Sequence, residues 1–253
     1  MNPKDIFDEI QNRIRRDTDP ESVKALKNYF KEEIETSGWK IPKVRALGKE
    51  YVRKFKAEKY DAAKILELTQ KLFMTARMEE VTLALEILRH YHNIYTPQLF
   101  SIFSSWSKHL TNWAHTDDFS THHVGKLISM DKNLFKQLLN WTTSENRWIR
   151  RSSAVALVPE ARKGNMLDEV FRVASKLMKD KDDMVQKGVG WLLKEASRNH
   201  PLEVAAFLSK WKDKTARRVL CIACEKMPAG LKETVLKKEK VINKKCGKNN
   251  GKN

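Results

Sequence analysis

Apolar residues recur along this chain at helical spacing from its first segment almost to its end. Asn2-Pro3 opens the first segment with a capping residue and a proline at the first helical position, and Ile6, Phe7, Ile10 and Ile14 follow on one face. Similar amphipathic segments are predicted near residues 20–35, 42–56, 60–73, 77–93, 97–110, 117–130, 132–141, 146–158, 164–180, 183–198, 201–211 and 215–227. Short connections marked by Asp, Asn, Gly or Pro separate them. Nine Gly and seven Pro are too few turn residues for an all-β chain of 253 residues. The expected fold class is therefore all-α, with one domain over residues 1–236 and a basic, disordered tail over 237–253.

Three of the predicted helices resemble one another. RWIRRSSAVAL (147–157), DMVQKGVGWLL (183–193) and KTARRVLCIAC (214–224) align so that Ile149, Val185 and Ala216 lead each apolar stripe. Arg151, Lys187 and Arg218 then share the opposite face. The intervals of 36 and 31 residues fit two-helix repeats of HEAT type, though they are shorter than the usual period. Stacked repeats form a solenoid that buries one helix face and leaves a concave surface lined by equivalent positions. Cations in register there read as a binding groove, the alternative being a solvated charged face.

The helix over Met184–Ala196 carries a second signal. Val185, Val189, Leu192 and Ala196 make its apolar stripe, and Trp191 projects roughly 120° away, beside Lys187, Gly190 and Lys194. Gly188 and Gly190 each weaken a helix by roughly 1 kcal/mol relative to Ala, and glycine permits close approach by another backbone or a ligand. This face is expected to meet a polyanion, with the indole against something flat or carbon-rich. The alternative is a helix buried on two sides, with Trp191 packing its second face.

Charge favours the polyanion. Lys and Arg total 49 against 32 Asp and Glu, a net charge of +17. Residues 237–253 hold seven Lys and one Glu, so the body keeps +11 by itself. A basic body suits nucleic acid. No apolar run approaches the 18 or so residues of a membrane span, MNPKDIFDEI does not read as a signal peptide, and no membrane partner is expected. Cys221, Cys224 and Cys246 fit a reducing cytoplasm without a disulfide framework.

From about residue 20 to 198 the chain resembles the DNA alkylation repair glycosylases of the AlkD type, built from HEAT-like repeats. Four stretches carry the resemblance. Asn112-Trp113-Ala114-His115-Thr116-Asp117 is similar to the family's Trp-x-x-x-Asp segment, and Arg147-Trp148-Ile149-Arg150-Arg151 to its Trp-x-x-Arg segment. Gln186-Lys187-Gly188-Val189-Gly190-Trp191-Leu192-Leu193-Lys194-Glu195 resembles its Gln-Lys-x-x-Gly-Trp-x-Leu-Arg-Glu helix. Tyr29 and Gly38-Trp39-Lys40-Ile41-Pro42 resemble its N-terminal DNA-contacting region.

The resemblance implies excision of N3- or N7-alkylated purines, such as 3-methyladenine and 7-methylguanine, from duplex DNA. It implies a catalytic cleft of Trp113, Asp117 and Trp191, with Arg151 on DNA phosphate and no base extruded into a pocket. Lys187, Lys194, Tyr29, Lys40 and Arg218 join Arg151 as expected DNA contacts, on a monomer that uses no cofactor. Chemically the set is coherent. A cationic base leaves without a general acid, so one carboxylate near the anomeric carbon suffices to stabilise the oxocarbenium-like sugar and place a water. Aromatic faces favour the developing cation. Thr116 is read as the cap of a helix beginning at Asp117, which would keep that carboxylate ionised. Asp117 and Asp118 also read as ordinary first-turn acids. The departures are Lys40 for a common Gln, Lys194 for Arg, and Ala114 for a common acid. The rival expectation is a non-catalytic HEAT-like module binding DNA, RNA or an acidic protein.

Other constellations carry less. His115, Asp117, Asp118, His122 and His123 crowd into nine residues but match no zinc signature, so no metal is expected. Cys221-x-x-Cys224 reads as helix packing, Met74 and Met78 as core, and no glycine-rich phosphate loop supports an ATP-driven step.

Overall fold

The computed structural model describes residues 2–237, so all of the expected basic tail except Lys237 lies outside the described residues. The first half runs through α1 (Pro3–Arg16), α2 (Pro20–Tyr29), α3 (Ile41–Ala57), α4 (Ala62–Met74), α5 (Met78–Arg89), α6 (Leu99–Trp106), α7 (Trp113–Phe119) and α8 (Gly125–Met130). The second half adds α9 (Phe135–Asn140), α10 (Arg147–Val155), α11 (Val158–Arg162), α12 (Leu167–Leu177), α13 (Asp183–Ala196), α14 (Pro201–Trp211), α15 (Arg217–Ala223) and α16 (Ala229–Leu236). Among the described residues there is no strand, and no helix is long and apolar enough to cross a membrane.

Local chemistry starts several of these helices. The side chains of Asn2, Asp19, Asp61, Asn112, Asn146 and Asp182 accept backbone N–H groups at the starts of α1, α2, α4, α7, α10 and α13. Each such cap satisfies a donor that the helix itself leaves unpaired.

The helices form two layers. In one, α3, α5, α7, α10, α13 and α15 pack side by side in chain order. In the other, α1 meets α4, α4 meets α6, α9 meets α12, and α14 meets α16. Stacked rings of Phe171 and Phe207, 4.7 Å apart, join α12 to α14. Trp141, just past α9, packs on Phe100 of α6 and donates to Ser104 Oγ at 3.1 Å. Between the layers Phe73, Phe103, Trp106 and Phe119 are fully buried, with neighbouring centroids 5.1–5.5 Å apart. Each buried ring of this kind contributes about 1.5–3 kcal/mol of transfer free energy. This is the all-α helical-repeat architecture that the periodicity predicts.

The segment predicted as the second half of a helix over 20–35 is not helical. After Tyr29 the backbone extends, and residues 30–40 cross the N-terminal ends of the first layer. Phe30 and Ile34 pack with Met78, Trp113 and Ala114. Met78 N donates to Glu35 O at 2.9 Å, the buried Glu79 carboxylate accepts from Ser37 N and Trp39 N, and Arg147 holds Glu32 at 2.9 Å. Gly38 adopts φ +82°, which a side chain would strain. Backbone groups that a helix would pair internally are paired here by α5, so a tertiary contact overrides the local preference.

Beside Glu79, Glu80 is fully buried with Arg77 Nε 3.2 Å from its carboxylate. Burial raises its pKa above the ordinary carboxylate value, with Arg77 opposing. The folded state therefore holds this proton more tightly than the unfolded chain. That contribution is complete below the unfolded pKa and is lost as pH rises through the folded one. Glu80→Gln is expected to gain stability relative to wild type on going from about pH 4 to about pH 8. Urea titrations at both pH values check this, and a constant difference would show that folding leaves the Glu80 pKa unshifted.

Candidate active site

Asn112, not Thr116, begins the helix that carries the expected acid. Its Oδ1 accepts from His115 N at 3.0 Å, and α7 starts at Trp113, so Asp117 sits in the second turn. The Thr116 hydroxyl instead donates to Asn112 O at 2.7 Å. His115 locks the same turn from inside: its Nδ1 lies 3.0 Å from Asn112 Nδ2 and its Nε2 3.3 Å from Met78 O. Burial lowers the His115 pKa to about 4, so the ring is neutral and structural. A π-helical turn, Ser120–Val124, follows α7, and Thr121 Oγ1 donates to Asp117 O at 2.7 Å. Such turns widen the helix by one residue and recur at functional sites.

Trp113 and Asp117 are four residues apart and share one face of α7. With Ala114, Asp118, Thr121 and His122 they line a cleft of about 320 Å³. Its other walls are Ile41 and Arg45 of α3 and Met78, Thr82 and Arg89 of α5. Phe30 stacks on the Trp113 indole at 5.5 Å and 21°, while Tyr29 meets it edge-on at 6.2 Å. Tyr29 is otherwise exposed, at 69 %.

Behind Asp117 stands Arg151. Its Nε donates to Asp117 Oδ1 and its Nη2 to Oδ2, both at 2.8 Å, while Nη1 donates to Met184 O on α13. Such a planar two-point grip fixes the carboxylate's orientation as well as compensating its charge. The Arg151 side chain is only 6 % exposed, against 20 % for Asp117. This corrects the expectation that Arg151 shares an outward face with Lys187 and Arg218: α10 is covered on both sides, by α7 and α13. Gly188 makes room for the guanidinium, since a Cβ there would stand 3.2 Å from Arg151 Cγ. At Gly190 a Cβ would meet Ile222 Cβ of α15 at 2.8 Å. Both glycines therefore serve helix packing, and neither marks a ligand's approach.

Trp191 is half-buried against the core, one turn beyond Gly188, and does not line the 320 Å³ cleft. Lys187 and Arg218 converge on Asp183 at 3.2 and 3.1 Å, so the pair keeps one net positive charge. Lys194 is held by Glu225 at 3.0 Å. Lys40, exposed at the start of α3 after the buried Ser37–Trp39, lines an adjoining cavity of about 420 Å³ with Trp39, Leu26 and Val44; Ile41, Met78 and Thr82 border both spaces. Sequence reasoning missed Phe30, Arg45 and Arg89. Phe30 was hidden by the helical reading of 20–35, and the two arginines lie outside the four stretches that carry the resemblance.

The residues read as a possible metal cluster disperse. Asp117 turns to Arg151, Asp118 to Arg89 and His122, and His123 to the Tyr95 hydroxyl. Among the described residues no three His, Cys, Asp or Glu groups converge as ligands. Cys221 is exposed and Cys224 buried, both as free thiols, and burial pushes the Cys224 thiol up to about 11.

Two layers of stacked helices, with a carboxylate–arginine pair walled by an indole on the inner layer, define a helical-repeat protein of HEAT-like type. The chain belongs to the DNA alkylation repair enzyme family, whose profile matches residues 10–227. A solved structure described as a predicted DNA alkylation repair enzyme from Enterococcus faecalis superposes with a TM-score of 0.71. The alignment is 14 % identical and covers 82 % of this chain and 95 % of that one, a likeness of fold. No curated protein matches the chain.

Proposed function

We propose that this protein is a DNA N-glycosylase that releases N3- or N7-alkylated purines from duplex DNA. The observation that carries the reading is the Asp117 carboxylate, gripped at both oxygens by a buried Arg151 and set beside Trp113 at the wall of an open cleft. Charge fixed in orientation before reaction costs no reorganisation when the oxocarbenium ion develops. Each Asp117 oxygen keeps acceptor capacity, which suits a water directed at the anomeric carbon. The alkylated base leaves as a neutral purine once its glycosidic bond breaks, so the site needs no acid to protonate it. Trp113 presents its aromatic face toward the sugar, Trp191, which stands outside the Asp117 cleft, packs against the DNA beside it, and Arg151 acts through Asp117 as a positioning residue. Tyr29 and Lys40 edge the site, and the Lys187–Arg218–Asp183 group offers one net cation to phosphate.

The test is base release from duplexes carrying defined lesions. Release of 3-methyladenine and 7-methylguanine is expected, with little from duplexes containing uracil or 1,N6-ethenoadenine, whose neutral bases need protonation to depart. Efficient uracil release would sink the mechanism. DNA binding with no release of any methylpurine would leave only the binding-module reading.

A further inference from the structure

The cations expected to form the groove are largely matched by acids: Arg151 by Asp117, Lys194 by Glu225, and Lys187 with Arg218 by Asp183. A further positive face is offered by α3. One flank of that 17-residue helix faces α1, where its charges are paired: Glu50 with Arg13 at 2.6 Å, Lys43 with Asp17 and Lys54 with Glu9. On the other flank Ile41, Arg45, Lys49 and Arg53 recur at every fourth position, and all four are exposed. Arg45 has Glu86 at 3.8 Å. Lys49 and Arg53 make no ion pair among the described residues, and Glu50, which feels the charge of Arg53, is already held by Arg13.

This stripe has a direction. Its first two members, Ile41 and Arg45, wall the cleft that contains Asp117, and the next two lead away from it. From Arg45 to Arg53 is eight residues, ~12 Å along the helix, which matches three to four nucleotides of one strand of B-form DNA. We infer that Arg45, Lys49 and Arg53 form a phosphate track on α3 that holds the duplex backbone on one side of the Asp117 cleft. The inference rests on the glycosylase reading for its ligand. It adds a binding surface on the side of the cleft away from α13. Ile41, apolar and exposed at the head of the track, stands where the backbone track meets the cleft.

The experiment is a salt series of fluorescence-anisotropy titrations with a labelled undamaged duplex and the same duplex carrying one 7-methylguanine. The Lys49→Ala/Arg53→Ala double variant touches no cleft residue. It is expected to lower the slope of log K against log salt by about 1.8, at ~0.9 per lost phosphate contact, for both duplexes. Affinity near 100 mM salt should fall about tenfold or more. The charge-conserving Lys49→Arg/Arg53→Lys variant should keep the wild-type slope. Wild-type protein that binds duplex with a slope unchanged in the double alanine variant overturns the track alone. Wild-type protein that binds neither duplex overturns the function reading and the track with it.

Discussion

Asp117→Asn is expected to slow single-turnover release of 7-methylguanine by about 10²–10³, with the duplex affinity kept. The amide is nearly isosteric and its oxygen still accepts one bond from Arg151. The negative charge is lost together with the second Arg151 bond, since the amide NH2 cannot accept, and that charge faces the cationic sugar in the transition state. Losing one preorganised electrostatic partner has this size of effect where water is partly excluded, and Asp117 is 20 % exposed on the cleft side. Anisotropy measured in parallel separates chemistry from binding. A rate within a few-fold of wild type would remove Asp117 from the mechanism.

Arg151→Ala has a different signature. It leaves a carboxylate without its partner, frees Met184 O, and opens a void beside Gly188. Breaking one side of a buried ion pair costs about 3–5 kcal/mol, and the partial exposure of Asp117 places this case near the lower bound. Urea denaturation should show a loss of about 3 kcal/mol, and base release should fall with it. Arg151→Lys restores charge without the two-point grip and should recover stability more than rate. The salt slope for DNA should barely change in either variant, because the guanidinium is engaged internally. A slope lowered by about one, with stability within ~1 kcal/mol of wild type, would return Arg151 to the phosphate contacts and overturn the positioning role.

Much of this was legible in the sequence. Helical periodicity predicted the all-α array, and most helices begin within a few residues of their expected starts, because caps and apolar stripes are local signals. The segments with Trp113, Asp117 and Arg151 were read as one site, and the fold does bring Asp117 and Arg151 together across 34 residues. Their relation was not legible. Nothing local says that Arg151 is buried, because the same spacing that exposes Lys187 and Arg218 places Arg151 between two helices. Periodicity assigns a face relative to one neighbour, whereas α10 and α13 each have two, and Arg151 is buried by the Asp117 carboxylate on α7 and Met184 O on α13. The stop of α2 at Tyr29 was equally hidden, since Phe30 and Ile34 continue an amphipathic pattern.

What the sequence alone determined is the helical array and its repeat-like row of helices, together with the segments that carry the proposed acid and indoles. The tertiary structure alone decided which charges cancel. It set Arg151 on Asp117, Lys187 and Arg218 on Asp183 and Lys194 on Glu225, and left Lys49 and Arg53 of α3 without an ion pair among the described residues. Composition gives the sum of charges. Coulomb attraction over a few ångströms, and the burial that strengthens it, depend on which helices lie side by side.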